Sequence, residues 1–101
     1  MVMQNTYPST HYKDLNIDWQ AHAVTRQGET IPLTPREFAL LQVLYDHRGR
    51  TMSRDDLLYT VWGYPCCGMT RTVDVHIQHL RRKLGLEQEI QTVYRVGYTL
   101  S

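Results

Sequence analysis

Apolar positions along this chain change spacing between residues 33 and 38, and that change marks the main boundary in the fold. From residue 11 to 33 the runs are short and alternate. Leu15, Ile17 and Trp19 are separated by polar residues, and Ala23-Val24-Thr25 makes a second run. Gln27-Gly28-Glu29 is a turn signal ahead of Thr30-Ile31-Pro32-Leu33. A period of two places alternate side chains on opposite faces of a strand, so this stretch predicts three or four small antiparallel strands. Beyond Leu33 the spacing becomes helical. Thr34 can cap, Pro35 suits the first helical position, Glu37 completes a capping box, and Leu33 and Phe38 stand where a hydrophobic staple forms. Leu40, Leu41, Leu44 and Tyr45 continue this helix, which ends near Gly49.

Two further helices follow. Ser53 is a capping residue ahead of Arg54-Asp55-Asp56, whose acids suit the positive end of a helix, and Met52 can staple to Leu57. Leu57, Leu58, Val61 and Trp62 form its apolar face, and Gly63 and Pro65 end it. Residues 63–69 form a loop. Thr70 can cap a third helix over residues 71–84, in which Val73, Ile77, Leu80 and Leu84 make one apolar stripe. Gly85 closes it, and residues 90–100 read as two β-rich segments with a turn around residues 94–96. The order is small sheet, three helices, terminal hairpin. This is an α+β winged helix-turn-helix plan, with residues 1–10 as a tail or interdomain linker and 11–101 as the domain.

Composition alters this picture little, but charge placement alters it substantially. The chain has 101 residues and a net charge of only +1. Residues 71–83 alone carry +3, from Arg71, Arg81, Arg82 and Lys83 against Asp74. A helix that buries one side and shows cations, imidazoles and small polar groups on another suits a nucleic-acid groove. Thr72, Val75, His76, His79 and Lys83 fall away from the apolar stripe, with Arg82 beside them and Gln78 to one side. Asp74 would repel phosphate, so it is assigned a structural role with a nearby cation or amide. Arg71 at the helix start suits a phosphate, which the free backbone N–H groups there also favour. A threonine methyl or Val75 can pack on a thymine methyl, and His76 can touch a phosphate or base edge.

These residues carry a family resemblance. Leu33-Thr34-Pro35-Arg36-Glu37-Phe38, Ser53-Arg54-Asp55-Asp56-Leu57-Leu58, Val61-Trp62-Gly63, Arg71-Thr72-Val73-Asp74-Val75-His76-Ile77, Leu80-Arg81-Arg82-Lys83-Leu84 and Thr92-Val93 with Gly97-Tyr98 are the motifs. The chain, from about Leu15 to Leu100, resembles the C-terminal DNA-binding effector domain of OmpR/PhoB-class two-component response regulators. The resemblance implies a recognition helix in the major groove and a wing over residues 91–99 in the minor groove. Its DNA contacts fall on Arg71, Thr72, Val75, His76, Gln78, His79, Arg82 and Lys83, on Arg54 and Trp62, and on Thr92, Tyr94 and Arg95 of the wing. It also implies a loop facing RNA polymerase or its sigma subunit, here with Tyr64, Cys66 and Cys67, and a phosphorylatable receiver domain in the full-length protein. Tandem direct repeats and a monomeric isolated domain follow from the same likeness, whereas a reducing, cytoplasmic setting is read from the adjacent Cys66 and Cys67, which pair poorly. Family members often carry arginine where this chain has Gln78 and His79. In the wing, Tyr94 stands where many have arginine, and Arg95 where they have glycine.

Other functions find less support. Cys66 and Cys67 with His76 and His79 have the composition of a metal or redox site, but adjacent cysteines lack ligand spacing. No Gly-rich phosphate loop or catalytic triad order is visible, so neither an enzyme nor a cofactor or metal requirement is expected. A winged-helix protein-interaction module is the remaining alternative, since two positions of the third helix have lost charge. No run of apolar residues approaches the length of a membrane helix.

Overall fold

The computed structural model describes residues 9–63 and 70–101. They divide into two compact units on either side of the Pro35–Arg36 bond. The first unit is a four-stranded antiparallel meander, β1 (Thr10–Tyr12), β2 (Leu15–Asp18), β3 (Ala23–Arg26) and β4 (Glu29–Ile31), paired in that order. Alternation along β2 buries Leu15 and Ile17. Ile17 pairs with Val24, which pairs with Ile31, so one ladder of β-branched residues crosses the sheet. Gln27 and Gly28 both take positive φ, at 52° and 83°, the type I′ geometry that matches strand twist in a two-residue hairpin. The strand count is the upper of the two expected, and Thr10 belongs to β1 rather than to the tail. A three-residue strand shows no periodicity, so only its pairing with Ile17 reveals it. Trp19 lies beyond β2, and its Nε1 donates to Thr10 Oγ1 at 2.8 Å.

The second unit holds α1 (Pro35–Asp46), β5 (Met52–Ser53), α2 (Arg54–Trp62), α3 (Thr70–Leu84), β6 (Ile90–Val93) and β7 (Gly97–Leu100). Its core is Phe38, Leu40, Leu41 and Leu44 of α1, Leu57 and Leu58 of α2, Val73, Ile77, Leu80 and Leu84 of α3, and Leu86, Ile90, Tyr98 and Leu100 beyond. Val61, expected in the core, is only half-buried. The caps follow the sequence. Ser53 Oγ accepts from Asp56 N at 3.0 Å, and Gly63 at φ 81° ends α2 by donating to the Leu58 and Tyr59 carbonyls. Gly85 at φ 66° lets Leu86 N donate to Arg81 O at 3.1 Å, which closes α3. Thr70 is the first residue of α3 rather than its cap.

The wing is a three-stranded sheet in the order β5-β7-β6, not a lone hairpin. Strand β5 has two residues, too few to show a pattern, and Ser53 serves both as its end and as the α2 cap. Gly97 makes the pairing possible. A Cβ there would lie 1.9 Å from the Met52 carbonyl oxygen, which is backbone and has no rotamer to yield. We expect Gly97→Ala to lower stability by about 2–3 kcal/mol or more, read as a fall in the thermal unfolding midpoint by circular dichroism. An unchanged midpoint would contradict the close β5–β7 approach.

Candidate nucleic-acid interface

Because α3 turns 100° per residue, its fifteen residues sort into four faces. Val73, Ile77, Leu80 and Leu84 are each fully buried. Opposite them lie Arg71, Val75, Gln78 and Arg82, again at i, i+4, i+7 and i+11, and all four are exposed. One flank carries Thr70, Asp74 and Arg81, and the other carries Thr72, His76, His79 and Lys83. Val75 and Arg82 point most directly away from the buried stripe, and Gln78 stands at the edge of the exposed one toward Asp74, to one side as the helical spacing places it.

The Asp74 flank ties α3 to the wing. Asp74 Oδ1 accepts from Arg54 Nε at 2.8 Å and from the Tyr98 hydroxyl at 2.6 Å. The Arg54 and Arg81 guanidinium carbons lie 5.4 and 5.6 Å from the Tyr98 ring centroid. Arg81 donates through Nε and Nη2 to the Ile90 carbonyl at 3.0 and 2.6 Å, and through Nη2 to Thr92 Oγ1 at 2.8 Å. Arg81 is therefore a strut that sets the hairpin against the helix. Two of the expected DNA contacts thus also have partners within the protein. The Arg54 Nε is committed to Asp74, which also raises the pKa of its guanidinium, and the Thr92 hydroxyl is committed to Arg81. The expectation that Asp74 holds a nearby cation agrees with this geometry.

The opposite flank meets α1 and α2. Glu37 is 2% exposed, and its two oxygens receive Lys83 Nζ at 2.8 Å and His79 Nδ1 at 3.2 Å. Both residues were expected to face DNA freely. Instead Lys83 supplies the charge that balances this buried carboxylate, and His79 gives it a further hydrogen bond. His76 Nδ1 donates to the Thr72 carbonyl at 2.9 Å, and its ring meets Trp62 edge to face at 4.8 Å. Trp62 is half-buried, with the Arg36 guanidinium 5.7 Å from its ring, so it backs His76. Local pattern assigns Glu37 only a capping role. Nothing in local spacing links it to positions 42 and 46 residues away.

At the wing tip, Val96 N donates to Val93 O at 2.9 Å, and Arg95 sits at φ 64° in the left-handed region. Tyr94 is 79% exposed. A cleft of about 420 Å³ lined by Ser53, Arg54, Asp55, Thr70, Arg95 and Val96 brings the wing tip beside the starts of α2 and α3. Tyr64, Cys66 and Cys67, expected on a polymerase-facing loop and in the metal alternative, lie outside the described residues. Among the described residues no group of three or more His, Cys, Asp or Glu is placed to hold a metal ion, and no helix is long and apolar enough to cross a membrane.

Three helices, an exposed third one and a hairpin strutted against it define a winged-helix domain. The sequence matches the family described as transcriptional regulatory protein, C terminal, over residues 28–100. The chain belongs to that family. It is 48% identical over 89 residues to the DNA-binding response regulator MtrA of Mycolicibacterium smegmatis, covering 84% of this chain and 39% of MtrA. It is 38% identical over 91 residues to the response regulator PmrA of Pseudomonas aeruginosa, covering 90% of this chain and 41% of PmrA. The chain thus spans about two fifths of the length of these curated relatives. The DNA-binding domain of Klebsiella pneumoniae RstA, solved in complex with the RstA box, superposes with a TM-score of 0.80 at 36% identity, over 92% of this chain and 96% of that domain.

Tyr98 offers a test of the Asp74 knot. Burial first, and the hydrogen bond to Asp74 second, raise its phenol above the ordinary value of 10.0. The folded state holds this proton where the unfolded chain releases it. Its contribution is therefore complete below about pH 10 and lost as pH rises through the raised value. Tyr98→Phe is expected to lower stability by about 1–2 kcal/mol near neutral pH. The gap to the parent narrows above about pH 10, measured by urea unfolding across that range.

Proposed function

We propose that this chain is the sequence-specific DNA-binding effector domain of a two-component transcriptional response regulator. Helix α3 lies in the major groove and presents Arg71, Val75, Gln78 and Arg82 outward, with Thr72, His76, His79 and Lys83 on the adjoining flank. Residues 91–99 approach the neighbouring minor groove through Tyr94 and Arg95, beside Thr92. Arg54 and Trp62 line the approach to the backbone. The observation that supports this reading is the exposed stripe of α3 standing opposite a fully buried one, next to a cationic wing tip. The likeness to a domain solved on its own DNA box adds to it.

The wider assembly follows from the resemblance. In the longer protein a receiver domain pairs two such domains on tandem direct repeats in the cytoplasm. The loop with Tyr64, Cys66 and Cys67 meets RNA polymerase or its sigma subunit. The isolated chain is a monomer.

Duplex titration by fluorescence anisotropy across a salt series tests the DNA reading. Affinity is expected to fall steeply with salt, as released counterions require. Arg71→Ala is expected to weaken cognate and random duplexes alike and to reduce the salt slope by roughly one. Affinities untouched by this change would remove Arg71 from the interface, and no binding at any salt would leave a protein-interaction module. Arg95→Gly relieves a left-handed residue and is expected to raise stability by about 0.5–1 kcal/mol, yet to weaken duplex binding. Thermal melts and the same titration give both readouts.

A further inference from the structure

We infer that His79 reads the amino group of an adenine or a cytosine in the major groove, and that Glu37 is the positioning residue that gives it this polarity. The inference rests on the DNA-binding reading above. A neutral imidazole carries one proton on two nitrogens, and the partner of one nitrogen decides which lone pair remains. His79 Nδ1 faces a carboxylate oxygen at 3.2 Å, which can only accept, so Nδ1 holds the proton. The other Glu37 oxygen receives Lys83 at 2.8 Å. One lysine charge already balances one carboxylate, so the bond from His79 needs only the neutral ring. Nε2 is then an acceptor, and no described residue is recorded bonding it. The side chain remains 37% exposed beside the outermost stripe of α3.

Major-groove chemistry completes the argument. Guanine presents only acceptors at its N7 and O6, and thymine an acceptor and a methyl group. Adenine N6 and cytosine N4 present donors. An acceptor at position 79 therefore favours the amino-bearing base, whereas an arginine there would favour guanine. Glu37 acts from α1, 42 residues away in sequence, and touches no base.

Two measurements test this. Nitrogen-15 spectra of the free protein are expected to show His79 protonated at Nδ1. Glu37→Gln has a single oxygen, which Lys83 Nζ takes, so its amide NH2 turns to His79 Nδ1 and the ring proton is expected to move to Nε2. Glu37→Leu releases the wild-type tautomer without altering His76, whose Nδ1 is held by Thr72. A wild-type His79 protonated at Nε2 overturns the inference without involving DNA. Selection of bound duplexes from a random pool is the second measurement. The wild type is expected to favour adenine or cytosine at one position by roughly fivefold to tenfold. His79→Leu flattens that position and His79→Arg turns it to guanine. If the wild type enriches a motif that His79→Leu leaves unchanged, the inference fails alone. If the wild type enriches nothing, the DNA-binding reading fails and takes the inference with it. A Glu37→Leu chain that does not fold leaves the Glu37→Gln spectra and the His79 variants to decide.

Discussion

Burial of Val73, Ile77, Leu80 and Leu84 is the constraint on which the interface depends. All four are fully withdrawn from water, and each such side chain contributes about 1.5–3 kcal/mol. Rotating α3 by one residue would drive Asp74 and Arg81 into the core and expose the aliphatic stripe. The helix therefore has one admissible rotation, and that rotation aims Arg71, Val75, Gln78 and Arg82 outward. The recognition surface is what remains of the helix once its core face is settled.

Polar ties then act as stops on either side. On the wing flank, Asp74 gathers Arg54 and Tyr98, and Arg81 grips the Ile90 carbonyl. On the opposite flank, Glu37 gathers Lys83 and His79. Buried or half-buried charge pairs add little net stability, but removal of one partner leaves the other uncompensated. Such pairs penalise wrong arrangements more than they reward the right one. Here they tie α3 to α1 on one side and to the wing on the other.

The same ties redistribute the charge that composition advertises. Residues 71–83 carry +3, yet Lys83 is spent on Glu37 and Arg81 on the wing backbone. Arg71 and Arg82 are the cations on the outermost stripe, and Arg95 supplies the wing tip. The exposed face of α3 is thus less cationic than the density of basic residues in the helix suggests, with Val75 and Gln78 standing beside Arg71 and Arg82.

Much of the fold was legible in the sequence, and the reason is local. Alternation at Leu15 and Ile17, the cap at Ser53, the stop at Gly63 and the α3 stripe all act within a few residues of themselves. Periodicity and capping chemistry report such features directly. The resemblance to a known family rested on the same blocks. The two-residue β5 escaped because pairing with β7 requires Gly97 to meet Met52 across 45 residues of chain. The ends of the long polar side chains escaped for the same reason. The sequence alone determined which residues α3 buries and therefore which it shows. Only the tertiary structure decided that Glu37 faces His79 and Lys83 and that Arg81 holds the wing. A side chain's hydrogen-bond partner is set by what other elements bring within 3 Å, and no spacing rule within one element contains that information.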